Sequence, residues 1–89
     1  MIKLPLTIEV SGTGISNLTS TLVERNPRKA LYLRSDDVYE VFLIQIRKES
    51  EAFGNHYPER EAYPGNEDFG KTAWCYNSPQ RAKAKYSKL

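Results

Sequence analysis

Hydrophobic and polar positions alternate with a period of two in several segments of the chain, and this predicts a protein built mainly of strands. From Ile2 to Val10, Leu4, Leu6, Ile8 and Val10 alternate with Lys3, Pro5, Thr7 and Glu9, the pattern of a half-buried strand. Pro5 lacks an N–H, which places that strand at a sheet edge. Ser11-Gly12-Thr13-Gly14 reads as a loop. In the next stretch Ile15, Leu18, Leu22 and Val23 fit helical spacing, but Thr19-Ser20-Thr21 disfavours a helix by β-branching and backbone competition. A strand over 17–25 is the better fit.

Asn26-Pro27-Arg28-Lys29 is a turn, with Pro27 presetting φ at its second position. A short strand follows over 30–34, then a turn at Ser35-Asp36-Asp37. Residues 38–48 form the strongest strand pattern. Val38, Glu40, Phe42, Ile44 and Ile46 share one face, Tyr39, Val41, Leu43, Gln45 and Arg47 the other. Because Phe42–Ile44 is apolar on both faces, this strand should be internal to the sheet. The segment 49–58 reads as a polar loop, and 59–63 as a further strand. Tyr63-Pro64-Gly65-Asn66 suits a type II turn, and 71–77 a last strand with Thr72, Trp74 and Tyr76 on one side. Ser78-Pro79 then opens a helix as N-cap and first-turn proline. Ala82, Tyr86 and Leu89 form its buried stripe. The expected fold is α+β, an antiparallel β-meander of about five or six strands with one C-terminal helix packed on one face.

Length and composition narrow the classes. Eighty-nine residues make one small α+β domain spanning 1–89 and exclude a two-lobed enzyme. At 39% hydrophobic and 27% charged the chain belongs with folded globular proteins, not disordered ones. One Cys and one His exclude an intramolecular disulfide, and Cys75 with His56 supply too few ligands for zinc. No apolar run is long enough for a membrane-spanning helix, and Met1–Leu6, broken by Pro5, is not a secretory signal. A free thiol without an export signal leads to a cytoplasmic expectation.

Candidate chemistry concentrates at the C-terminal end. Five basic residues and no acidic one follow Asp68. On the helix Arg81, Lys85 and Lys88 share a face roughly 100° around from the Ala82–Tyr86–Leu89 stripe. With Lys71, and with Trp74 or Tyr76 as stacking rings, they constitute a candidate nucleic-acid surface. The competing interpretations are a solvated helix face and, for Trp74, core packing as the largest apolar side chain available. Phe69-Gly70-Lys71, leading into a strand and a Ser-capped helix, resembles the Trp-Gly-Arg run of the WGR domain, a nucleic-acid-binding module. That likeness covers only this segment. It departs from the motif at Phe69 and Lys71, lacks the glycine pattern that follows, and does not imply membership.

Elsewhere the signals are weaker. Asn66-Glu67-Asp68 and Asp36-Asp37 carry oxygen ligands but no cation-loop spacing around them. Glu59 and Glu61 sit two apart, as an acid–base pair would on one strand face, yet charges guarding an exposed edge strand explain them more simply. His56 belongs to a polar loop, and Cys75 reads as a small buried hydrophobe. Gly12-Thr13-Gly14 is too short for a phosphate loop. The expectation is a non-catalytic accessory module with no cofactor, metal or small-molecule substrate, acting by protein interaction or self-association. Nucleic-acid binding through Lys71, Arg81, Lys85 and Lys88 is the alternative.

Overall fold

A computed structural model of the chain describes residues 1–12 and 15–89, with the side chains of residues 10–12, 15–17 and 66 left undescribed. Its centre is a five-stranded antiparallel sheet in the order β1-β2-β3-β4-β9. The strands are β1 (Thr7–Gly12), β2 (Ile15–Arg25), β3 (Lys29–Arg34), β4 (Tyr39–Leu43) and β9 (Ala73–Tyr76). Two small two-stranded ladders lie between β4 and β9 in sequence. One joins β5 (Gln45–Arg47) to β8 (Arg60–Ala62), and the other joins β6 (Ser50–Ala52) to β7 (Asn55–Tyr57). One helix, α1 (Pro79–Lys88), closes the chain.

The sheet is α+β in the expected way, and β3 is its most deeply buried strand. Ala30, Leu31 and Tyr32 are all fully buried, so both faces of β3 are covered. On one face Leu31 and Val41 pack against Ala82 and Tyr86 of α1, with Tyr39, Tyr76 and Leu89 at the margin. On the other, Ala30, Tyr32, Phe42 and Ala73 pack with Leu4, Tyr63 and Phe69. Tyr32, Phe42 and Tyr63 form an aromatic cluster there, with ring centroids 5.2–6.0 Å apart, a spacing favourable for aromatic pairs. These rings, and not Trp74, fill the core.

Helix α1 begins where the Ser-Pro signal places it. The Ser78 hydroxyl accepts a hydrogen bond from the Arg81 N–H and Pro79 is the first helical residue. At its C-terminus Lys29 of β3 donates to the carbonyls of Tyr86 (2.6 Å) and Leu89 (3.3 Å) and lies 4.5 Å above the Tyr86 ring. A cation from the sheet thus satisfies the helix's free carbonyls and its negative dipole end.

Four expectations are corrected. The strand expected over 2–10 begins only at Thr7. Ahead of it, Ile2 bridges Arg60, Leu4 drops into the core, and the Pro5 carbonyl accepts from the Tyr32 hydroxyl at 2.6 Å. Pro5, with no N–H to pair, marks where the chain crosses from the sheet face to its edge. The strand expected over 38–48 is broken at Ile44. Its N–H still reaches the Arg28 carbonyl, but past that point β3 has turned away at 26–28. The backbone therefore takes a new partner, β8. The expected loop 49–58 contains the β6–β7 hairpin, closed by Phe53 and Gly54 at φ values of 52° and 76°. Positive φ at both central residues is the type I′ turn that suits a two-residue hairpin. Finally, the turn at 63–66 is not type II, since Gly65 has φ −84° and opens a single 3₁₀ turn over Asn66–Asp68. Asp68 accepts there from the Gly65 N–H at 2.9 Å. The loop expected at 11–14 includes Thr13 and Gly14, which lie outside the described residues. Ser11 and Gly12 belong to β1.

Candidate interaction surfaces

The C-terminal basic segment keeps its expected exposure in part. Arg81 and Lys88 are exposed on α1, and Lys71 is exposed in the turn before β9. Lys85 is different. Its ammonium lies 3.9 Å above the Trp74 ring, because β9 presents Trp74 on the face that carries the helix, opposite Val41 in register. Trp74 is half-buried beneath this cation, and Tyr76 is half-buried beside the α1 core. The strand and helix therefore bring together the expected residues, but the ring best able to stack a base is already capped. Lys85→Ala should lower stability by about 0.5–1 kcal/mol through loss of this cation–π contact, read as a small drop in thermal midpoint. An unchanged midpoint would mean that the contact contributes nothing.

Glu61 is no edge-strand guard. It is 5% exposed and joins three segments distant in sequence. Its Oε1 accepts from the Leu4 N–H at 2.8 Å, and the Arg25 guanidinium grips both oxygens at 2.6 and 2.8 Å. Lys3 stands 3.8 Å away. The paired Arg25 is the main reason its pKa is lowered from 4.5 to about 2. Glu61 is therefore fully ionised at neutral pH and bound to a permanent cation, which unfits it for proton transfer. Glu59 is exposed and outside β8, so the two do not form an acid–base pair.

A second buried carboxylate, Glu40, accepts from the hydroxyls of Ser20 (3.2 Å) and Tyr63. Burial first, and then this bond to Glu40, raise the Tyr63 phenol well above its ordinary range. Cys75 lies across from Glu40 on β9. It is exposed, not buried, since β9 is an edge strand. Its thiol is pushed up chiefly by partial desolvation and next by Glu40, so little thiolate is present at neutral pH. Asp36 is engaged by Arg34 at 2.7 and 2.8 Å. Among the described residues no cluster of metal-ligating side chains occurs and no helix is long and apolar enough to cross a membrane.

The structure also reveals what the periodicity concealed. Residues 45–62 form a two-stranded arm in which every residue of β5, β6 and β7 is exposed. Phe53 at its tip is 99% exposed, and Ile46 and Tyr57 along it are 43% and 46% exposed. A phenylalanine at positive φ is uncommon, and one at that position surrounded by solvent gains nothing from burial to offset the strain. Near the base of the arm is an open cavity of about 390 Å³ lined by Lys3, Leu4, Leu6, Leu22, Arg25, Asn26 and Pro27. Its two charged lining residues, Lys3 and Arg25, both lie within ion-pair distance of Glu61. A Gly-Asn pair at 54–55 was the sequence signal for a hairpin, though it marks the turn one residue late.

No protein-family model, curated protein or solved structure is significantly similar to the chain.

Proposed function

We propose that the protein is a non-catalytic interaction module whose contact element is the arm of residues 45–62. The observation that carries this reading is Phe53, a fully solvated aromatic ring held at φ 52°. Folding alone favours Asn at that position of a type I′ turn. Large aromatic side chains are also the residues that most often dominate protein–protein contacts.

Two linked measurements test the reading. Phe53→Asn should leave the fold intact and raise the thermal midpoint slightly, because Asn tolerates the left-handed conformation. The same variant, used as bait, should lose the proteins that the wild type retains from its native host. Equal retention by both would remove the arm from the contact.

Nucleic-acid binding is the second reading, favoured by Arg81, Lys88 and Lys71. All three are exposed, and none is in an ion pair among the described residues. It requires affinity for labelled oligonucleotides that falls with salt by a log–log slope of about −0.7 to −0.9 per phosphate contact. Loss of that binding in Arg81→Glu/Lys85→Glu would support it. No anisotropy change at low salt would dismiss it.

A further inference from the structure

We propose that the partner of the arm is a second copy of this chain, and that two copies lie with their arms side by side and antiparallel, each Phe53 seated in the cavity at the base of the other's arm. This rests on the arm being the contact element.

The first support is where the unpartnered apolar surface lies. Phe53, Tyr57 and Ile46 are on the arm, while exposed Leu6 lines the cavity and exposed Ile2 and Val23 adjoin its lining residues Lys3 and Leu22 in sequence. The tip and the cavity are at opposite ends of one device. Leu4 and Arg25 of the cavity wall are both bonded to Glu61 of β8, the arm's base strand, whereas Phe53 lies six residues beyond Arg47, or about 20 Å of extended chain. A two-fold axis across the middle of such an arm places each tip over the other's base, as a self-complementary contact requires.

The second support is charge. The outer half of the arm carries the carboxylates Glu49 and Glu51, with His56 3.7 Å from Glu51. The base sets Arg47, Lys48 and Arg60 against Glu59 and Glu61, and the cavity wall adds Lys3 and Arg25, so the base stays net positive. Antiparallel arms bring acid over base at both ends. Parallel arms would put like charge on like, an arrangement that costs association. The Glu51 side chain is 82% exposed, and Lys48 is exposed and in no ion pair among the described residues.

Sedimentation equilibrium on the full chain at low ionic strength tests the arrangement. The wild type should be dimeric at micromolar concentration. Phe53→Ser and Leu6→Glu should each weaken dimerisation at least ten-fold, with far-UV circular dichroism unchanged. An equimolar mixture of those two variants should recover association, because one sound tip then meets one sound cavity. Glu51→Lys and Lys48→Glu should each weaken the dimer, and the double variant should regain part of the loss. A wild-type monomer at hundreds of micromolar overturns the proposal, as does a dimer indifferent to Phe53→Ser and Leu6→Glu. If the wild type is monomeric while Phe53→Asn still loses retained host proteins, the arm remains the contact element and only its partner is different. If neither assay responds to Phe53, both readings fall.

Discussion

Glu61→Ala should lower the thermal midpoint by more than about 10 °C, the largest loss expected from any charged residue here. Removing one partner of a buried ion pair costs about 3–5 kcal/mol, and a domain of this size loses roughly 4–8 °C per kcal/mol. The lower end applies because the Arg25 side chain is 21% exposed and recovers some hydration once released. The loss extends beyond the pair. The Leu4 N–H gives up its acceptor, and Leu4 anchors the segment that covers one face of the sheet.

The same residue sets the acid limb of stability. Its folded pKa, about 2, lies below the ordinary 4.5, so the native state binds its proton more weakly than the unfolded chain does. The contribution is complete above pH 4.5, declines as pH falls, and is lost near pH 2. A depression of this size corresponds to on the order of 3 kcal/mol. Urea unfolding at pH 7, 4 and 3 should show wild-type stability falling more steeply than that of Glu61→Gln. Identical pH slopes would mean that Arg25 does not hold the carboxylate in solution.

Tyr86→Ala should be comparably damaging. The ring is 8% exposed and packs with Leu31, Val41 and Ala82 beneath Lys29. Truncating such a ring costs about 3–5 kcal/mol when the site cannot collapse. Ala82 is small and Leu89 only partly buried, so Tyr86 supplies most of the apolar area by which α1 docks. A fall in thermal midpoint of well over 10 °C is expected, from roughly 4–8 °C per kcal/mol, against a few degrees for Lys85→Ala. Equal, small shifts in both would show α1 undocked in solution, with its apolar stripe open to another surface.

The local signals in the chain were enough to determine much of the architecture. The pattern through Tyr39–Leu43 marked an internal strand, the turns on either side of 30–34 marked its neighbour, and Ser78-Pro79 marked the helix start, because strand period, turn and capping chemistry are properties of neighbouring residues. The stripe of Ala82, Tyr86 and Leu89 was legible for the same reason. The basic face was legible as composition, but the placement of Lys85 over Trp74 depended on the register of β9 against β4 and on how α1 crosses it. Neither is encoded in spacing along the chain.

Tertiary structure alone decided the rest. Glu61 looked like a solvated charge until Arg25, thirty-six residues away, and Leu4 were folded against it. Burial of a carboxylate is tolerable only with such distant partners, so no window of local sequence reveals it. The β6–β7 hairpin escaped for the opposite reason, although the base strands of the arm fell within the expected strands 38–48 and 59–63. Every residue of β6 and β7 is exposed, so they show no hydrophobic alternation, and only backbone pairing and two positive φ angles reveal that 50–57 is a hairpin. Periodicity reports which residues face a core. It is silent about elements that face away from one, and the surface proposed for this protein's contacts is such an element.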